Sequence, residues 1–273
     1  MTPEPVAEFR RLHESGCFVL PNPWDRGSAK VLASLGFKAL ATSSAAVCFM
    51  LGRPETPTAL TVGETLHNVR EIAGATELPV NADFQAGYAA GFDQLAENVR
   101  RCVEVGAAGL SIEDQATDPN GFLFDITEAA DRVRAARAAI DAAGSNAVLT
   151  ARTECFLVGD PNPMKTAMDR LARFAEAGAD CLFAPGVSTP EDVKTLVEHV
   201  APLPINVLAV DPSWMSLKSL GDLGVRRIST GSALARVAWG AFRFAATEIA
   251  EDDSLSSLAS AEPFERLNEL FAG

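Results

Sequence analysis

Apolar positions along the chain fall into a recurring unit: a stretch at helical spacing, a glycine, then a short apolar run with little alternation. The unit appears around Gly36 (SLGFKALATSS), Gly74 (AGATELPVNAD), Gly106 (EVGAAGLSIED), Gly144 (AAGSNAVLTAR), Gly178 (EAGADCLFAPG) and Gly224 (DLGVRRISTG). A glycine suits the end of each helix because the residue after the last turn takes a positive φ that a side chain penalises. Short runs without alternation suit strands buried on both faces. With CFVLPNP at the start and PINVLAV later, the pattern predicts eight strands, near 17–22, 38–43, 79–84, 109–114, 147–152, 181–185, 204–209 and 226–230. Helices fill the gaps, among them 92–105, 126–143 and 163–177.

Eight such repeats without a linker or a break in composition predict one (β/α)8 TIM-type barrel domain over residues 1–273. An open doubly wound sheet is the alternative, but the turn after strand 1 is NPWDRGS and not a glycine-rich phosphate loop. Residues 232–273 then form helix 8 and a C-terminal helical extension. GSALARVAWGAFRFAATEIAE is one helix, and SLSSLASAEPFERLNELF gives one or two more, split at Pro263. An apolar helix with no strand left to cover needs another surface, either its own barrel or a neighbouring subunit.

The formal charge of −13 and the pI near 4.7 argue against nucleic acid, whose binding draws on Lys and Arg. Apolar residues make up 48%, enough for a full core, yet no run approaches the roughly 20 apolar residues that cross a bilayer. Ala233 to Ala246 is broken by Arg236 and Arg243, and no apolar run behind Arg10 and Arg11 suggests a signal peptide. Five scattered cysteines, without a CxxC or a Cys/His cluster, fit reduced thiols in a cytoplasmic protein.

Chemistry in such a barrel sits at the C-terminal strand ends. Strand 2 ends in Ser43-Ser44, strand 3 in Asp83 with Gln85 just after, strand 4 in Glu113-Asp114, and strand 5 in Arg152 with Glu154 beyond; Asn206 stands on strand 7. Acidic oxygens without His or Cys make a site for a hard cation, Mg²⁺ or Mn²⁺. Arg152 offers a planar fork for a carboxylate. The plain alternative is that these acids cap helices or pair with arginine. His13, His67 and His199 all fall on predicted helices. Gly231-Ser232 opens helix 8 and suits either a phosphate or simple capping; Asp25 suits the N-cap of helix 1, and Cys155 packs.

The segments ATSSAAVCFMLGRPE, PVNADFQAGYA, GLSIEDQ and LTARTECF, in that order, resemble the successive signatures of the isocitrate lyase/phosphoenolpyruvate mutase superfamily. NPWDRGSA and EAGADCLFAPG extend the likeness over roughly residues 15–235. The resemblance implies that Asp83 is the direct Mg²⁺ ligand, with Glu113, Glu55 and Gln85 holding metal-bound waters. It implies that Ser43 and the backbone N–H groups around Ser44 and Ala45 take a substrate carboxylate, and that Arg152 binds the same 2-oxo acid. It also suggests a homo-oligomer, dimer or tetramer, in which the helix after strand 8 swaps between subunits.

Three departures narrow the activity. Gln85 stands where the superfamily usually has a second acid. The loop Gln115 to Asp125 (QATDPNGFLFD) lacks the cysteine by which isocitrate and methylisocitrate lyases protonate their product. Asn120 matches an asparagine of the mutases, but Phe183-Ala184-Pro185 offers no histidine near strand 6. The expected activity is therefore Mg²⁺-dependent carbon–carbon lyase chemistry on a small 2-oxo acid. Decarboxylation of an oxaloacetate-like substrate and retro-aldol cleavage both fit, with the proton drawn from solvent. Phosphonopyruvate/phosphoenolpyruvate mutase chemistry and a 2-oxo acid binder without turnover are the alternatives. The turn at Asp118-Pro119-Asn120-Gly121 and the apolar Phe122, Leu123 and Phe124 suggest a lid that supplies no acid.

Overall fold

The computed structural model describes residues 4–116 and 122–272. Eight strands form one wholly parallel sheet: β1 (Phe18–Leu20), β2 (Leu40–Ala41), β3 (Val80–Asp83), β4 (Gly109–Glu113), β5 (Val148–Arg152), β6 (Cys181–Phe183), β7 (Ile205–Leu208) and β8 (Arg227–Ser229). Their order is β1-β8-β7-β6-β5-β4-β3-β2. The Ala41 N–H donates to the Pro21 carbonyl at 3.0 Å and draws β1 and β2 together, so the sheet closes into a (β/α)8 barrel. Each strand lies inside the span that the hydrophobic pattern predicts.

The helices are α1 (Glu4–Glu14), α2 (Arg26–Ser34), α3 (Ser44–Met50), α4 (Val62–Ala73), α5 (Phe92–Glu104), α6 (Ile126–Ala142), α7 (Pro163–Glu176), α8 (Pro190–Val200), α9 (Leu217–Asp222), α10 (Ala233–Asp252) and α11 (Phe264–Phe271). Asp25 caps α2 in a reciprocal box with Ser28, as its position before the helix suggests. The outward faces of the strands meet the helices in one large core that includes Leu110, Ile112, Leu149, Leu182 and Ile228.

The barrel interior is divided by polarity. At its lower end Phe18, Ala39, Val148 and Cys181 pack around Phe9 of α1, which closes the bottom. A Cβ on Gly109 would lie 2.7 Å from the Phe9 ring and 2.8 Å from the Val148 carbonyl, so this plug requires glycine. Arg10 ties α1 down through Asp180 and the Asn146 carbonyl. Above the plug, Asn81, Ser111, Thr150, Asn206 and Arg227 are buried polar residues of five strands. Such barrels usually fill this space with branched apolar side chains.

The two helices of the tail differ in what they cover. α11 returns to its own barrel: a Cβ on Gly27 of α2 would meet the Phe271 ring at 3.7 Å. α10 instead leaves Val237, Phe242 and Phe244 exposed at 69%, 65% and 70%. Among the described residues no helix is long and apolar enough to cross a membrane.

Candidate active site

A cavity of about 180 Å³ opens at the C-terminal strand ends and reaches down the barrel axis. Its upper wall starts at the end of β2. Thr42 Oγ1 accepts from the Asp83 N–H at 2.8 Å and ties the ends of β2 and β3 together. Ser43 then turns the chain into α3, its hydroxyl capping Ala46 N–H at 3.3 Å. The Ser44 N–H donates to Asp83 Oδ2 at 2.8 Å, and Ser44 Oγ donates to Glu55 Oε1 at 3.0 Å. The Ser44 amide thus holds Asp83, while Ala45 lines the cavity beside it.

Arg152 is the hub of the charged wall. It faces Glu113 in register across β4 and β5. Its Nη1 lies 3.3 Å from Asp83 Oδ1 and 3.5 Å from Glu113 Oε2, and its Nε donates to Glu154. Three carboxylates around one guanidinium leave an excess of negative charge in a buried place. Burial, and then the neighbouring acids Glu154 and Asp83 against the relief from Arg152, drives the Glu113 carboxyl well above its usual range. Enclosure and the charge of Asp83 likewise raise Glu55.

This donor set suits a hard divalent cation. Among the described residues no three His, Cys, Asp or Glu side chains form a ready cage. Mg²⁺ needs no such cage, because it takes one or two carboxylates and completes its shell with water and substrate. Asp83 and Glu55 line the cavity, and Glu113 stands behind Arg152. Gln85, at φ 43°, shares a separate small cavity with Glu113, and its Oε1 is buried without a protein partner among the described residues.

Several residues that organise the site are not evident from the sequence. Asn22 gives its Nδ2–H to the Thr42 carbonyl at 2.7 Å, and its Oδ1 accepts from the Thr230 and Gly231 N–H groups at 3.0 and 2.9 Å. It thereby joins β1, β2 and the turn before α10. Gly231 is held by this contact and Ser232 makes no side-chain capping bond, so hydroxyl capping is not what the Gly-Ser pair does here. Asn206, expected at the substrate, lies on the cavity wall with its Oδ1 accepting from Arg227 and its Nδ2–H given to Ser229. The only signal for Arg227 was a charge inside a buried run.

The loop after β4 closes at its base like a hairpin. Ala116 N–H bonds the Phe122 carbonyl at 2.9 Å, Phe124 N–H bonds the Asp114 carbonyl at 2.8 Å, and Arg170 of α7 holds the Phe124 carbonyl. Phe122 is 68% exposed, and Asn120 lies outside the described residues. Cys155 is buried in packing, and His67 and His199 are exposed on helices. His13 sits at the opposite end of the barrel, against Phe9 and Phe18.

A parallel eight-stranded barrel with an acid-and-arginine cluster at its strand ends defines a class of enzyme. The chain belongs to the phosphoenolpyruvate phosphomutase family, whose sequence profile matches residues 9–250, and so to the isocitrate lyase/phosphoenolpyruvate mutase superfamily. A crystal structure from Burkholderia cenocepacia J2315 superposes with a TM-score of 0.94 at 36% identity, covering 98% of this chain and 96% of that one. The oxaloacetate decarboxylase of Pseudomonas entomophila is 29% identical over 237 residues, 82% of this chain and 78% of its own. The phosphoenolpyruvate phosphomutase of Streptomyces hygroscopicus is 29% identical over 251 residues, 88% of this chain and 78% of its own. Relatives of this chain are thus lyases and mutases.

Proposed function

We propose that this protein is a Mg²⁺-dependent lyase that cleaves a carbon–carbon bond of a small 2-oxo acid. The observation that carries the reading is the Arg152 cluster, in which Asp83, Glu113 and Glu154 share one guanidinium beside a cavity lined, among the described residues, by Glu55 and Asp83 and by no His or Cys. Asp83 would hold the cation directly and Glu55, on the same cavity wall, would take one of its waters, while Glu113 and Gln85, which share the neighbouring small cavity, would reach it only through further waters. Mg²⁺, or Mn²⁺ in its place, supplies when bound a Lewis acid for the charge that gathers on the 2-oxo oxygen. Arg152 orients the substrate carboxylate, and Ser43, Ala45 and Asn206 shape the wall that it meets.

The bond that breaks joins C3 to C4. Its electron pair passes into the 2-oxo unit as an enolate, and C3 then takes a proton. The other fragment leaves as carbon dioxide, or as a carbonyl compound once its C4 hydroxyl has lost a proton to solvent. Cys and His are absent from the Gln115 to Asp125 segment, so the proton for C3 comes from water. Similarity to an oxaloacetate decarboxylase supports the decarboxylating form.

Equal identity to a phosphoenolpyruvate phosphomutase keeps phosphorus–carbon chemistry as the second reading. Phe183-Ala184-Pro185, without a histidine, speaks for the lyase. Turnover of oxaloacetate, phosphonopyruvate and 2-methylisocitrate, each with Mg²⁺ and then with EDTA, tests the assignment. Mg²⁺-dependent release of pyruvate from oxaloacetate is expected. Rearrangement of phosphonopyruvate alone would replace the lyase by the mutase, and binding without turnover of any substrate would leave a 2-oxo acid binder.

A further inference from the structure

The barrel has a seam where β1 and β2 meet, since these strands stand at the two ends of the sheet order. β1 pairs in register with β8 and β2 with β3. Among the described residues two hydrogen bonds cross the seam itself. One joins the Ala41 N–H to the Pro21 carbonyl at 3.0 Å, and the other runs from Asn22 Nδ2–H to the Thr42 carbonyl at 2.7 Å. Asn22 is buried, and both ends of its side-chain amide are in use. Its Oδ1 accepts from the Thr230 and Gly231 N–H groups in the turn before α10, at 3.0 and 2.9 Å.

The Thr42 carbonyl belongs to the peptide that leads from β2 toward α3. A planar peptide moves as a unit, so turning this carbonyl also moves the Ser43 N–H on its other side and the Ser44 N–H one step on. Both of the next links end on Asp83. The Thr42 hydroxyl accepts from the Asp83 N–H at 2.8 Å, and the Ser44 N–H donates to Asp83 Oδ2 at 2.8 Å. With Oδ2 held in this way, Oδ1, now 3.3 Å from Arg152 Nη1, is the oxygen left to turn to a cation. A buried carbonyl that loses its donor is costly, and a turn of the peptide is the way to recover a partner.

We propose that Asn22 is a positioning residue for the cation site. By fixing the Thr42 carbonyl across the seam it sets the Ser44 N–H, and through that bond the direction of the Asp83 carboxylate. The proposal rests on the reading of Asp83 as the ligand of a divalent cation. The two ends of the Asn22 amide make the role separable from a general closing of the barrel. Asn22→Asp keeps an oxygen for the Thr230 and Gly231 N–H groups but has no donor for the Thr42 carbonyl. Asn22→Ala removes both ends and adds no charge.

Two measurements on the whole protein test this: amide hydrogen exchange without metal, and Mn²⁺ binding followed by electron paramagnetic resonance. In Asn22→Asp the Ser44 and Asp83 amides should exchange about tenfold faster than in the wild-type chain, the loss of about one hydrogen bond. Gly231 and the amides of β4 and β5 should keep their protection. Mn²⁺ should bind about tenfold more weakly to both Asn22→Asp and Asn22→Ala. Wild-type protection at Ser44 and Asp83 in either folded variant overturns the proposal. So does unchanged Mn²⁺ affinity, which would make Asn22 a staple of the seam alone. If the charge added in Asn22→Asp prevents folding, Asn22→Ala gives the Ser44, Asp83 and Mn²⁺ readings without it. A wild-type chain that binds no Mn²⁺ removes the cation reading, and with it the role proposed for Asn22, whatever the exchange rates; exchange at Ser44 and Asp83 then shows separately whether the bond across the seam holds that turn.

Discussion

Arg152 Nη1 lies 3.3 Å from Asp83 Oδ1 across the mouth of the barrel, while the other oxygen of Asp83 accepts the Ser44 N–H at 2.8 Å. The two side chains hold each other at the point where β3 and β5 open into solvent. The proposed cation and substrate would divide this pair between them, the carboxylate turning to the metal and the guanidinium to the 2-oxo acid.

Asp83→Ala should therefore abolish Mg²⁺-dependent turnover while the barrel stays folded, since Asp83 lies at a strand end and outside the apolar core. Steady-state assays with Mg²⁺ titrations read this directly. Activity that persists in the variant, or in EDTA, removes the metal from the mechanism.

Arg152→Lys keeps the charge but loses the planar fork that spans Asp83, Glu113 and Glu154. The expected loss in kcat/KM corresponds to on the order of 2–5 kcal/mol. Near-normal kinetics in this variant would make Arg152 a structural residue.

Arg170 of α7 pairs with the buried Asp114 at 3.0 Å and also holds the Phe124 carbonyl at 2.8 Å. Arg170→Met leaves the Asp114 charge without its partner, with an expected loss of about 3–5 kcal/mol in urea unfolding. A stability loss below about 1 kcal/mol would show that water satisfies Asp114 equally well.

Burial, and after it the charge of Arg227, lowers the His13 imidazole from its ordinary 6.5 to about 3. Between these values the unfolded chain binds a proton that the folded chain does not. Stability is then complete above pH 6.5 and is lost as the pH falls toward 3, by on the order of 3 kcal/mol at pH 4. His13→Gln keeps an acceptor for Arg227 but does not titrate. Urea midpoints at pH 7, 5 and 4 should fall less in this variant; equal slopes would place the acid sensitivity elsewhere.

The bare face of α10 motivates a last proposal, that the chain forms a homo-oligomer through Val237, Phe242 and Phe244. Light scattering after gel filtration should give a dimer or tetramer, and Phe242→Glu with Phe244→Glu should shift it toward monomer. A monomeric wild-type chain at micromolar concentration excludes the assembly.

The barrel was legible in the sequence because eight glycine-punctuated repeats are a one-dimensional pattern, and burial on both faces removes alternation from the strands that follow. Asp83, Glu113 and Arg152 were legible for a related reason: a polar residue that ends an apolar run marks a strand end, where this fold puts its chemistry. The partners of those residues were not. Ser44 gives its amide to Asp83, Glu154 takes Arg152 Nε, and Asn22 binds β1 to the turn before α10 because closing the barrel brings distant strands side by side. No spacing along the chain encodes that neighbourhood. The helix that plugs the bottom through Phe9 was equally hidden, since its effect depends on the bare backbone of Gly109, one hundred residues further on. Arg227 shows the limit most sharply: the sequence carries its charge and its strand, but only the closed barrel turns it inward, where it lines the lower cavity and, among the described residues, pairs with no carboxylate.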